Sequence, residues 1–245
     1  MPALAPLEGC AVSVPSLRGA SMMVVTMLLT FGARHAWAAV RVQIGEAEGA
    51  PGDDVVIAVV LTADAGESVA AVENEIDFDP VHTPVAVGAN GRPDCTVNAA
   101  INKEATGFGF GPFGCDPMQG ECNAVHAVVV SIANVLLIPS GSQLYTCRWH
   151  IFSDTPMGTY RLLNTNLLYA PPDGRDLQAI GVNGLITVRL VGDADCDGML
   201  TEADVEVTLG ALFDDTAACN PDCNRDGGVS AADVACVAAQ LGSSH

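Results

Sequence analysis

Two stretches near the C-terminal end hold the residues best suited to chemistry. They read GDADCDGMLTEADV at 192–205 and PDCNRDGGVSAADV at 221–234, and Asp222 stands 29 residues after Asp193. Counted as twelve-residue loops, the first places Asp193 at position 1, Asp195 at 3, Asp197 at 5, Gly198 at 6, Met199 at 7, Thr201 at 9 and Asp204 at 12. The second has Asp222, Asn224, Asp226, Gly227, Gly228, Ser230 and Asp233 in the same places. In a curling loop, alternate side chains converge on one centre. A glycine at position 6 permits the sharp turn, and position 7 offers its backbone oxygen. Calcium takes about six to eight oxygens at roughly 2.3–2.6 Å, which such a loop supplies, whereas magnesium keeps its waters. Two calcium ions are therefore expected, one per loop. A single acidic turn could simply be solvated. Two copies in register, each with a hydroxyl at 9 and an acid at 12, argue for metal. Without the ion, Asp193, Asp195 and Asp197 repel one another, so calcium is also expected to fold this region.

The loops need elements to hold them. ADVEVTLGALF (203–213) sets Val205, Leu209 and Leu212 on one helical stripe, and AADVACVAAQL (231–241) does the same with Val234, Val237 and Leu241. The position-12 acid falls in the first helical turn, where the helix dipole favours a carboxylate. Neither helix is long enough to stand alone in water, but two packed stripe to stripe can. The tail is thus an internal repeat of loop and helix.

The repeat resembles a dockerin domain over about residues 192–242: an EF-hand-type loop without the entering helix, with Asp rather than Glu at position 12. The resemblance implies a cohesin-bearing partner. It also implies that positions 10 and 11 of each loop help choose that partner. Those are Glu202 and Ala203, then Ala231 and Ala232. The two pairs differ from each other and from the Ser/Thr pair common in cellulosomal dockerins. Four cysteines in the tail are a further departure.

The chain has 245 residues, of which 49% are hydrophobic, enough to bury a core in one large or two modest domains. Ten basic residues against 29 acidic ones give a net charge of −19. That excludes nucleic acid and anionic membrane surfaces as partners, since both demand basic patches. It suits a cation or a partner with a basic face. The apolar run SMMVVTMLLTFGA (21–33), followed by Ala36 and Ala38 in an A-x-A arrangement, predicts a signal peptide over 1–38 and an extracellular or cell-surface protein. The run is too short to span a membrane, so no span is expected in the mature chain. The stretch before the run is long and holds only Arg18 as a basic residue, so Met22 or Met23 is an alternative start. Eight cysteines remain: Cys95, Cys115, Cys122 and Cys147, then Cys196, Cys219, Cys223 and Cys236. Even counts in an exported chain predict two disulfides per half, with three pairings open in each. Zinc is disfavoured, because neither half has a CxxC pair or a histidine at ligand spacing.

Residues 39–191 predict a β-sandwich. Short alternating strands run at 40–45, 55–61, 72–79, 124–134, 142–152, 158–170 and 183–191, with turn residues between them. Along VENEIDFD (72–79), Val72, Asn74, Ile76 and Phe78 share one face and the acids the other. The glycine-rich stretch 102–123 reads as a long loop tied by a disulfide. The opening strand, the PGD turn at 51–53, the next strand and the Phe78-Asp79-Pro80 signature together resemble a cohesin domain. The LITV strand at 185–188 adds to the likeness. This implies a cohesin-like, jelly-roll β-sandwich and a dockerin-bearing partner.

No catalytic constellation is present: neither GxSxG nor HExxH nor a phosphate-cradling glycine loop. Glu73 and Glu75 lie two apart on one strand face and so do not oppose each other as glycosidase carboxylates must. The sequence therefore reads as a secreted, non-catalytic adaptor. A cohesin-like sandwich is joined to a dockerin-like tail with two calcium ions, for protein–protein interaction in a polysaccharide-degrading or cell-surface assembly, self-association included. The rival reading is an extracellular polysaccharide-binding module with a purely structural calcium tail. Against it, Trp149 reads as core, and Tyr145, Tyr160 and Tyr169 are scattered rather than gathered into a platform.

Overall fold

The computed structural model describes residues 39–213, 219 and 221–243. The signal peptide expected over 1–38 lies outside them. All described residues fall in one compact unit. The strands are β1 Val40–Ile44, β2 Glu46–Gly49, β3 Asp54–Ala63, β4 Ala71–Asp77, β5 Cys95–Val97, β6 Gly107–Gly111, β7 Ala124–Val129, β8 Gln143–His150, β9 Gly158–Ala170, β10 Leu177–Gln178, β11 Ile180–Val182 and β12 Gly184–Val188. The helices are α1 Glu202–Ala211 and α2 Ala231–Ser243. The fold is mainly β: a sandwich with a small helical tail. No described helix is long and apolar enough to cross a membrane.

One sheet runs β11-β1-β3-β8-β5, and the other β2-β12-β9-β4-β7-β6 with β10 beside β9. Most pairs are antiparallel. β1 with β11 and β2 with β12 are parallel. Alternation decides which side of each strand is buried. On β3, Val55, Ile57, Val59 and Leu61 enter the core; on β4, Val72, Asn74 and Ile76 do, with Phe78 following. Trp149 and Tyr145 are fully buried, as the scattered-aromatic reading requires.

A polar chain crosses this core from one sheet to the other. The Tyr145 hydroxyl on β8 donates to Asn74 Oδ1 on β4 at 2.9 Å. Asn74 Nδ2 donates to Asn164 Oδ1 on β9 at 3.0 Å, and Asn164 Nδ2 donates to the Val42 carbonyl on β1 at 2.7 Å. Burial pushes the Tyr145 hydroxyl pKa up, and its bond to Asn74 offsets only part of that.

Two boundaries differ from the sequence reading. The stretch 102–123 is not all loop. β6 pairs with β7 inside it, and Phe108 and Phe110 pack against the core. The alternation there is glycine with phenylalanine, which hides a strand behind a loop-like composition. β7, in turn, ends at Val129 rather than near 134. Beyond it, Ser131 Oγ accepts from the N–H groups of Ala133 and Asn134, and Asn134 Oδ1 accepts from that of Leu136. These side chains take up backbone donors that a longer ladder would use.

Candidate metal centre

The two acidic loops adopt the same conformation. Position 6 has a positive φ in both, 83° at Gly198 and 92° at Gly227, and so does position 4, 60° at Cys196 and 58° at Arg225. The hydrogen bonds recur as well. The position-1 carboxylate accepts from the position-6 N–H: Asp193 from Gly198 at 3.1 Å, Asp222 from Gly227 at 2.8 Å. The position-3 oxygen accepts from position 5: Asp195 from Asp197 and Asn224 from Asp226, both at 3.0 Å. Position 5 accepts from position 7: Asp197 from Met199 at 2.8 Å and Asp226 from Gly228 at 3.1 Å.

The position-12 acids close the loops. Asp204 Oδ1 accepts from Asp195 N and Oδ2 from Thr201 N. Asp233 Oδ1 accepts from Asn224 N and Oδ2 from Ser230 N. Thr201 and Ser230 then each accept from the N–H two residues on and start the helix, Thr201 as half of a capping box with Asp204. Asp204 and Asp233 are wholly buried. For Asp233, burial raises the pKa, but the N–H groups of Asn224 and Ser230 outweigh it and hold the carboxyl low.

Side-chain oxygens of Asp193, Asp195 and Asp197 lie within 4.8 Å of one another. Asp193 is 8% exposed, and its Oδ1 is buried with no hydrogen-bond partner. Burial first, and then the charges of Asp204, Asp195 and Asp197, push its carboxyl pKa up. An orphaned carboxylate oxygen beside two further carboxylates fits a hard, oxygen-seeking dication. In the second copy Asn224 replaces one carboxylate, and its Nδ2 donates to Asp226 Oδ2 at 3.0 Å. Affinity in such loops rises with ligand charge, so calcium titration should show two steps, with the first loop filling first. Asp197→Ala should abolish the tighter step in calorimetry. Loss of the weaker step instead would reverse the assignment.

The loops also set the phase of the helices. The sequence places Val205, Leu209 and Leu212 inward on α1. Asp204 and Thr208 are the fully buried residues there, while Leu209 is 48% exposed. Asp204 must turn inward to close its loop, which carries position 208 in with it. On α2 the expected Val237 is fully buried, and α1 packs on α2.

The disulfides pair two per half: Cys95–Cys147 and Cys115–Cys122, then Cys196–Cys219 and Cys223–Cys236. The last two staple each acidic loop to its neighbourhood. The tail also sits on the sandwich. Arg225 Nη1, at position 4 of the second loop, meets Asp53 Oδ2 in the β2–β3 turn at 2.9 Å. Arg189 reaches Glu48 on one side and the Cys196 and Cys219 sulfurs on the other. Gly192, with φ 90°, lets the chain enter the tail where a side chain would press on Leu200 and Val237.

A second polar feature lies on the outer face of the sheet containing β4. Glu73, Glu75 and Asp77 form a row along β4, confirming that they share a side. His126 Nε2 on β7 meets Glu73 Oε1 at 2.8 Å, and Asn166 Nδ2 donates to Glu75 Oε2 at 2.9 Å. Burial and the neighbouring Glu75 raise the Asp77 pKa. The sequence showed the acid row. His126 and Asn166 needed the strand register to be placed beside it.

No family model matches the chain, and no curated protein matches it. Among solved structures, a complex of CaDoc0917 with CaCohA2, the latter from Clostridium acetobutylicum, is 19% identical with a TM-score of 0.49, covering 61% of this chain and 99% of that one. The seventh ScaB type I cohesin from Pseudobacteroides cellulosolvens is 15% identical, with a TM-score of 0.48 and coverage of 61% and 92%. A type I cohesin–dockerin complex from Clostridium thermocellum is 12% identical, with a TM-score of 0.49 and coverage of 61% and 99%. The sandwich described above stands on its own strand pairing.

Proposed function

We propose that this chain is a secreted, non-catalytic adaptor whose cohesin-like sandwich receives a dockerin-bearing protein and whose calcium-loaded, dockerin-like tail enters a cohesin. The recurrence of six hydrogen bonds, in register, between the two acidic loops carries the reading. Asp193, Asp195, Asp197 and Asp204, with the Met199 carbonyl and Thr201, are the oxygen donors of the first site. Asp222, Asn224, Asp226 and Asp233, with the Gly228 carbonyl and Ser230, are those of the second. Calcium, when bound, supplies the positive charge that lets the carboxylates lie together. The chain's own part is to hold the loops in register and launch two helices whose starts carry Glu202, Ala203, Ala231 and Ala232, all exposed. The acid row of Glu73, Glu75 and Asp77 suits a partner face bearing basic groups.

The test uses the full oxidised chain against purified cohesin-bearing and dockerin-bearing proteins by surface plasmon resonance, with and without chelator. Binding to at least one class is expected, and binding through the tail should weaken by more than about 100-fold on chelation. Retention on insoluble glycans, with no binding to either class, would replace this reading by a polysaccharide-binding module. The buried state of Trp149 and Tyr145 argues against that outcome.

A further inference from the structure

At one end of the sandwich, the space between the sheets is open. A cavity of about 110 Å³ lies there, walled by Phe78, Pro80, Phe110, Pro117, Met118 and Phe152. No side chain in its lining is charged or carries a hydrogen-bonding group. Its floor is firm: the Phe78 ring meets the fully buried Trp149 edge-on, 5.4 Å between centroids. Its rim is apolar and wet. Met118 is 76% exposed, Val81 beside Pro80 is 67% exposed, and the ring of Phe113 stands clear of the protein.

The lip of this cavity is the loop closed by Cys115–Cys122. Asp116 caps the turn Pro117–Gln119 by accepting from Met118 N at 2.9 Å, and Glu121 Oε2 accepts from Asp116 N at 3.1 Å. A cross-linked, internally bonded loop holds Met118 out in water at no later ordering cost, which is how a binding surface is pre-organised, and Phe113, just before that loop, is exposed as well. Nothing in the folding of the sandwich calls for these two side chains to be exposed.

We infer that this mouth is a docking pocket for one branched aliphatic side chain, flanked by lysine or arginine, on a protein partner. Size sets the anchor. A dry apolar cavity of about 150 Å³ takes up benzene, so the space here fits a leucine and not an indole. Charge sets the flanks. Asp79, Asp116 and Glu121 are chain neighbours of the lining residues Pro80, Pro117 and Cys122, and the sequence has no lysine or arginine between Lys103 and Arg148. Asp79 is paired with His82 at 2.7 Å, and Asp116 and Glu121 each accept one backbone N–H within the loop. An acidic rim around an apolar hole selects a basic segment with an apolar anchor. The site belongs to the sandwich alone and involves neither the calcium loops nor the acid row on β4. It therefore goes beyond the adaptor reading and does not depend on it.

The test is nuclear magnetic resonance on the full chain with labelled methionine methyls, Met118 being the reporter. The probe is the tripeptide Ac-Lys-Leu-Arg-NH2, with Ac-Glu-Leu-Glu-NH2 and Ac-Lys-Ala-Arg-NH2 as controls. The first should shift Met118 saturably in the millimolar range expected of a single anchor. The acidic peptide should bind at least about tenfold more weakly, and the alanine peptide should leave Met118 unmoved. Phe152→Glu, at a position already 38% exposed, should keep the fold and remove the response. The inference is overturned by an equal response to the acidic peptide, by a response that survives Phe152→Glu, or by no saturable shift. A Met118 shift that grows with protein concentration alone would also overturn it, by showing that a second copy fills the pocket.

Discussion

Chelating calcium from the full, oxidised chain is expected to melt the tail and leave the sandwich intact. The far-ultraviolet helical signal should fall, while the near-ultraviolet signature of the buried Trp149 stays. The reason lies in what the tail buries. Its described apolar core is Ala194, Pro221, Cys223 and Val237, and the other buried side chains are Asp193, Asp204, Thr208 and Asp233. Helices of 10 and 13 residues do not persist in water without packing, and this packing is meagre. Two disulfides shorten the unfolded loops but do not relieve the clustered charge of Asp193, Asp195 and Asp197. If the loops bind calcium as proposed, the metal contributes to the folding free energy of the tail. Substituting Asp193 and Asp222 by alanine together should lower calcium affinity by more than about 100-fold, beyond what losing an outer-shell partner costs. A double variant whose helical signal and calcium titration match the parent would refute the metal assignment.

The second large effect belongs to the sandwich. Asn74→Ala should destabilise it by about 3–5 kcal/mol, because the Tyr145 hydroxyl and Asn164 Oδ1 each lose a buried partner. That corresponds to a fall in Tm of roughly 10 °C or more. Tyr145→Phe removes one bond of the chain and should cost about 1–2 kcal/mol. The two changes should not add: the double variant should fall short of the sum by about 1 kcal/mol, since both break the same link. Thermal unfolding of the four proteins settles it. A loss below about 1 kcal/mol for Asn74→Ala would mean that water replaces the asparagine and that the bond chain is not what joins the sheets.

Asn74 illustrates how far residues alone could be read. Its place on the inner face was plain from Val72 and Ile76 on either side, since alternation fixes facing whatever the side chain. Its partner was not plain. Tyr145 and Asn164 come from strands 71 and 90 residues away, and only the sheet order brings them across the core. The shared conformation of the two acidic loops was legible because it is local: every residue that shapes it lies within twelve positions. The α1 stripe was misread for the opposite reason. Hydrophobic spacing proposed Leu209, but the demand that Asp204 close its own loop fixed the rotation first. The strand at Gly107–Gly111 was hidden because its non-phenylalanine positions are glycine, which reads as a turn until a neighbour pairs with it. Cysteine pairing needed three-dimensional proximity throughout.

The ion pair between Arg225 and Asp53 bears on how copies of this chain could be strung together. Arg225 is the tail's single lysine or arginine, and it is spent on the chain's own sandwich. The span from Arg189 to Asp193 that joins the parts is too short to act as a tether. Beads on slack string would yield a floppy, irregular polymer. Here each link would instead hand the same rise and rotation to the next, so head-to-tail joining would generate a closed ring or a helical filament of constant pitch. That fixed geometry would rest on the short span together with the Arg225–Asp53 and Arg189–Glu48 ion pairs.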